Sequence, residues 1–98
     1  MNSNEMASKV IDNVEEHRFE AHVDGAIAGF VTYQSADGVL VLLHTEVAPE
    51  FEGKGVGSRL AAGVLQQIRE RGQKIRIVCP FIAGYVKRHP EYNDLVAN

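Results

Sequence analysis

The stretch Glu52-Gly53-Lys54-Gly55-Val56-Gly57-Ser58 constrains this chain more than any other. It follows a run from Val39 to Val47 (VLVLLHTEV) that is apolar for its first five residues, and it opens a helical pattern. From Gly55 to Arg71, Val56, Leu60, Val64 and Ile68 recur every four residues and Leu65 widens the stripe, as on the buried face of a helix. A helix N-terminus carries unpaired N–H groups and a partial positive charge. Glycines there let the backbone approach an anion with no Cβ in the way. Strand, glycine turn and helix together predict a phosphate or pyrophosphate cradle. A Walker A loop needs Gly-x4-Gly-Lys and a Ser or Thr, which these residues do not supply. The dinucleotide fingerprint Gly-x-Gly-x-x-Gly fails as well, because the glycines fall at 53, 55 and 57. The alternative is a loop that only turns the chain.

The remaining elements follow from local pattern. Arg18 to Val23 alternates polar and apolar, Asp24-Gly25 is a two-residue turn signal, and Ala26 to Gln34 forms the return strand. Asp37-Gly38 marks the next turn, and the run from Val39 suits a strand covered on both faces. Gly72 stands where a left-handed C-cap residue belongs, with Arg69 and Arg71 in the last helical turn. Lys74 to Cys79 reads as a short strand, and Phe81 to Arg88 as a second helix stopped by Pro90. The last residues read as an edge strand or an unpaired tail. The expected fold is α+β: an antiparallel meander leading into a β-α-β unit whose two strands are parallel neighbours.

Composition narrows the function classes. The chain has 98 residues, which predicts one domain over residues 1–98, with residues 1–9 as a tail. No apolar run approaches the roughly 20 residues that span a bilayer, and residues 1–9 lack the basic start and apolar stretch of a signal peptide. With one cysteine there is no internal disulfide and no Cys-based zinc cluster, so the reading is cytoplasmic, with no metal and no membrane. Charge is uneven. Residues 1–52 carry ten acidic and two basic side chains, residues 53–98 three acidic and eight basic. The basic half suits a compact anionic ligand but is too weak, and too poor in clustered aromatics, for nucleic acid.

The order strand, loop, x-x-Gly-x-Gly, helix, strand resembles the acetyl-CoA-binding core of the GCN5-related N-acetyltransferase (GNAT) superfamily. Its signature is Gln/Arg-x-x-Gly-x-Gly/Ala. Residues Glu52 to Gly57 match at both glycines, with an acidic residue in the first position. Leu43 to Pro49 looks like the family's fourth strand. Ile82 to Arg88 is similar to its final motif helix, where a tyrosine often sits near the CoA sulfur. Length and pattern resemble a minimal, single-domain subfamily of GNAT proteins, from about Phe19 to Tyr92. That subfamily lacks the two helices that help form the acceptor site in ordinary members. The resemblance implies acetyl-CoA as cosubstrate, bound by Val47, Glu52, Gly53, Lys54, Gly55, Val56, Gly57, Ser58 and Arg88. It further implies an amine acceptor, either a small molecule or a peptide or protein.

Acetyl transfer to an amine requires that the amine lose a proton, that the oxyanion find donors, and that the thiolate leave. Two routes are open. In one, His44 deprotonates Cys79, the thiolate takes the acetyl group and an amine then collects it. The two residues lie near the carboxyl ends of expected neighbouring strands, where ligands bind in such sheets, and the resemblance implies the same pair. In the other, Glu46 or His44 serves as base through water and Tyr85 protonates the departing thiolate. A lone cysteine is equally a small buried hydrophobe, and Tyr85 equally an amphipathic packing residue. His17, His22 and His89 are weaker candidates. A non-catalytic CoA-binding accessory or sensor module shares the cradle with both routes, and a small interaction module would use the glycines for the fold alone. A small core and an open sheet edge suit a monomer or a weak homodimer.

Overall fold

A computed structural model describes residues 8–97. The elements are β1 (Ser8–Asn13), β2 (Arg18–Val23), β3 (Ala26–Ala36), β4 (Val39–Val47), α1 (Val56–Arg71), β5 (Lys74–Ile77) and α2 (Pro80–Arg88), with 3-10 turns at Pro49–Phe51 and Pro90–Leu95. The five strands form one sheet in the order β1-β2-β3-β4-β5. Its pairs are antiparallel except β4 with β5, which is parallel. The fold is the expected α+β meander followed by a β-α-β unit. Among the described residues, no helix is long and apolar enough to cross a membrane.

Local chemistry accounts for the turns. Asp24-Gly25 and Asp37-Gly38 both hold two consecutive positive φ angles, 49° and 84°, 54° and 76°. A type I′ hairpin requires this pair. Helix α1 buries Val56, Leu60, Ala61, Val64, Leu65 and Ile68. They meet Phe19, Ala21 and Val23 of β2, Ala28 and Val31 of β3, Leu40 and Leu42 of β4 and Ile75 of β5 in one cluster. Both helices pack on this face, and among the described residues no helix covers the opposite face of the sheet.

Several expectations need correction. The tail reading for residues 1–9 fails at its end, because β1 begins at Ser8; residues 1–7 lie outside the described residues. Strand β1 is held by distant partners. Gln67 Nε2 donates to Val10 O at 2.7 Å, Arg71 Nη2 to Asp12 Oδ2 at 2.8 Å, and Tyr33 Oη to Asp12 Oδ1 at 2.5 Å. A Cβ on Gly63 would come within 2.4 Å of Val10, so this glycine lets β1 lie against α1. Strand β5 ends at Ile77 rather than Cys79. The N–H groups of Val78 and Cys79 both turn to Leu42 O, at 2.9 and 3.1 Å, and Pro80 already belongs to α2. Residues 90–97, the last described, are neither strand nor loose tail. They form the 3-10 turn and a single bridge from Val96 to Ile75.

Candidate active site

The parting of β4 and β5 creates the site. The two strands pair from Val39/Lys74 to Leu42/Ile77. Beyond that point β4 continues to Val47 while the other chain leaves for α2. Ala48 N–H donates to Ala28 O at 2.8 Å. Alternation along an antiparallel ladder then directs the main-chain groups of His44 and Glu46 to β3. Those of Thr45 and Val47 point away from β3, into the gap left by β5.

A β-bulge decides which side chains face which way. Thr32 pairs with His44 but Tyr33 pairs with Leu42, so Leu43 is one extra residue in β4. Without it, His44 and Glu46 would continue the buried series of Leu40 and Leu42. With it, Thr45 and Val47 take the helix side, and His44 and Glu46 turn to the bare face. The contact expected between His44 and Cys79 is therefore made by a different residue. Thr45 Oγ1 lies 3.0 Å from Cys79 Sγ, and Cys79 is 2% exposed. His44 Nε2 instead lies 3.1 Å from Glu46 Oε1, both side chains being 62% exposed.

The glycine turn sits at the helix-side mouth of the gap. Gly53 and Gly55 have φ of 79° and 78°, a backbone that side chains disfavour. Gly55 is the N-cap of α1 and offers no side-chain cap. The N–H groups of the first helical turn are thus left to whatever lies before them. Arg59 Nη2 donates to Lys54 O at 3.1 Å and braces the turn from the helix. Gly57 answers a different need: a Cβ there would come within 2.8 Å of Phe81 Cζ. Val47, Phe51, Glu52, Gly53, Gly55, Val56, Gly57, Ser58 and Phe81 line a cleft of about 230 Å³. The cleft combines main-chain donors with an apolar wall from Val47, Phe51 and Phe81.

Two further candidates stand on α2. Arg88 closes the last turn of α2 and is roughly 10 Å along the helix from Phe81, outside the cleft lining. Tyr85 is 7% exposed and its ring stacks on His89 with centroids 4.1 Å apart. Burial, with Tyr92 and Glu91 nearby, pushes its phenol up. Sequence reading passed over Thr45 and Phe81. A polar residue closing an apolar strand and a third glycine beyond the signature were the available signals.

The bare face carries a second polar group. Residues directly opposite one another share a face, which gives the rows Asn13–Arg18–Thr32–His44 and Ile11–Glu20–Phe30–Glu46. Glu20 accepts from Arg18 Nε at 2.7 Å and Asn13 Nδ2 at 2.9 Å, and lies 2.9 Å from His22 Nε2. Burial opposes its ionisation, but the bonds from His22, Arg18 and Asn13 outweigh this and lower its carboxyl to about 2.

Comparison with known proteins agrees with this architecture. The model of the GCN5-related N-acetyl-transferase family matches residues 18–95. Protein NATD1 of Xenopus tropicalis is 37% identical over 49 residues, 50% of this chain and 45% of the relative. Protein NATD1 of Homo sapiens is 35% identical over 52 residues, 53% of this chain and 46% of the relative. The match spans a little under half the length of these curated relatives. The solution NMR structure of a GCN5-like protein from Staphylococcus aureus superposes with a TM-score of 0.68 at 25% identity, covering 92% of this chain and 88% of that one.

Proposed function

The chain belongs to the GCN5-related N-acetyltransferase family, and from that premise we propose that it transfers an acetyl group from acetyl-CoA directly to an amine. The observation that carries the reading is the parting of β4 and β5 beside the glycine turn. The loop from Gly53 to Ser58 receives the pyrophosphate on its main-chain N–H groups, where the helix dipole favours an anion. The gap admits the pantetheine arm, whose amides pair with the free main-chain groups of Thr45 and Val47. Phe81, Phe51 and Val47 exclude water from the apolar part of the arm.

Glu46, with His44 at 3.1 Å, takes the proton from the attacking amine on the bare face. A positioned base of this kind contributes roughly 100-fold or more. Of the groups that face the gap, the Thr45 N–H stabilises the oxyanion, which leaves the Thr45 carbonyl and the Val47 groups to the pantetheine amides. Tyr85, its phenol protonated at neutral pH, is the proton source for the departing thiolate. Cys79 lines the gap as Thr45's partner. The covalent route asks His44 to activate Cys79, and the bulge at Leu43 puts Thr45 beside the sulfur instead. The test is thiol release from acetyl-CoA in the presence of an amine panel. Amine-dependent release that falls in Glu46→Gln supports the reading, and release that no amine stimulates overturns it.

A further inference from the structure

One buried titratable group is unused by this mechanism. Glu20 is 3% exposed on a sheet face that no helix of the described residues covers, and its hydrogen-bond partners are Arg18, Asn13 and His22. Taking a carboxylate out of water is costly unless donors surround it. Here the arrangement yields a guanidinium fixed in place. Arg18 commits its Nε to Glu20, and its Cζ sits 4.6 Å from the centroid of the Phe30 ring. Among the described residues its terminal nitrogens form no hydrogen bond, and the side chain keeps 26% of its exposure. Phe30 stands directly opposite Glu46 in the β3–β4 register. The guanidinium is therefore held over the neighbour of the proposed base, with its terminal N–H groups free for a ligand.

We propose that Arg18, locked by Glu20 and stacked on Phe30, binds a carboxylate on the acceptor whose amine is acetylated at His44 and Glu46. This rests on the acetyl-transfer reading above and deepens it by naming the acceptor class. Neighbouring strands stand about 4.8 Å apart. A carboxylate on Arg18 and an amine at the β4–β5 gap are thus separated by roughly 5–10 Å. That span fits an ω-amino carboxylate with a short alkyl chain, a free lysine bearing its side-chain amine among them. Planar guanidinium and planar carboxylate match in two parallel hydrogen bonds, and the terminal N–H groups that Glu20 leaves unpaired are the ones that donate.

The test uses two probes that differ only in charge, 5-aminopentanoate and its amide, titrated by NMR into the full chain. The wild-type protein binds the carboxylate about threefold to tenfold more tightly, as expected for a partly exposed charged pair. Shifts appear at Arg18, His22 and Phe30. Arg18→Gln equalises the two probes, and Arg18→Lys restores only part of the preference. Equal binding in the wild type, or a preference that survives in Arg18→Gln, overturns the proposal. Arg18→Gln removes a donor from the buried Glu20 carboxylate, so its fold is checked by its amide spectrum; if it does not fold, Arg18→Lys carries the test, and a full wild-type preference there overturns the proposal. A parallel titration with CoA, followed at Gly53 to Ser58, separates the two readings. Lack of shifts there removes acetyl transfer, while the probe pair still decides whether Arg18 recognises a carboxylate.

Discussion

Thr45 Oγ1 lies 3.0 Å from Cys79 Sγ, at the point where β4 and β5 separate. The thiol is thereby tied to a hydroxyl and not to an imidazole. If transfer is direct, Cys79→Ser keeps this bond and keeps turnover within about tenfold of wild type. Cys79→Ala leaves a half-buried hydroxyl without its partner and destabilises the chain by about 1–3 kcal/mol. Thiol-release assays and urea unfolding check both. Loss of turnover to background in the folded serine variant would restore the covalent route.

The base on the bare face gives a second expectation. Glu46→Gln removes proton acceptance while preserving shape, so the maximal rate falls roughly 100-fold or more with CoA affinity unchanged. A rate within a few-fold of wild type would mean that His44 or solvent takes the proton.

Gly57 offers a steric test of the cleft. A methyl group there meets Phe81 Cζ at 2.8 Å, the far end of a ring that is 39% exposed and can turn aside, so stability changes little. The displaced ring narrows the cleft, and Gly57→Ala lowers CoA affinity. Adding Phe81→Ala removes the clash but does not restore the affinity, because the apolar wall is gone. Calorimetric titration of the single and double variants checks this; undiminished affinity in Gly57→Ala would mean that the cleft does not take CoA.

How much of this was legible beforehand depended on the range of the forces involved. The hairpin turns at Asp24-Gly25 and Asp37-Gly38, the buried stripe of α1 and its Gly72 cap are set by neighbours in sequence, and each is present in the fold. Strand β1 is set by Gln67, Arg71 and Tyr33, which are far away in the chain, and its own six residues lack clear alternation. The candidate site turned on a single extra residue. Leu43 reads as one more apolar position in a strand, yet as a bulge it exchanges the faces of every residue after it. The expected neighbouring strand ends, together with the family resemblance, put His44 near Cys79, and the register places Thr45 there.

Acid stability follows from Glu20. Its carboxyl is lowered from 4.5 to about 2, so its folded form holds the proton less tightly than its unfolded form. The stabilisation is present above pH 4.5 and is lost as pH falls from 4.5 towards 2. Urea midpoints of the wild type drop across that window, and Glu20→Gln shows a shallower drop from a lower starting stability. Parallel slopes for the two proteins would remove Glu20 as the source.

The strand at the edge can be released selectively. Asp12→Ala removes the acceptor for Tyr33 Oη and Arg71 Nη2, leaving a partly buried phenol unpaired at about 1–3 kcal/mol. Hydrogen exchange rises across residues 8–13 before it rises in β3 or β4. Uniform loss of protection would mean that β1 unfolds only with the whole sheet.

The central claim is that the turn before α1 and the gap between β4 and β5 bind acetyl-CoA. Calorimetric titration of the chain with acetyl-CoA, repeated with Gly55→Val, tests it most directly. Gly55 holds a φ of 78°, which a β-branched residue strongly resists. The account predicts saturable one-to-one binding that weakens sharply in the variant. No binding at millimolar ligand, or equal binding by both proteins, would contradict it.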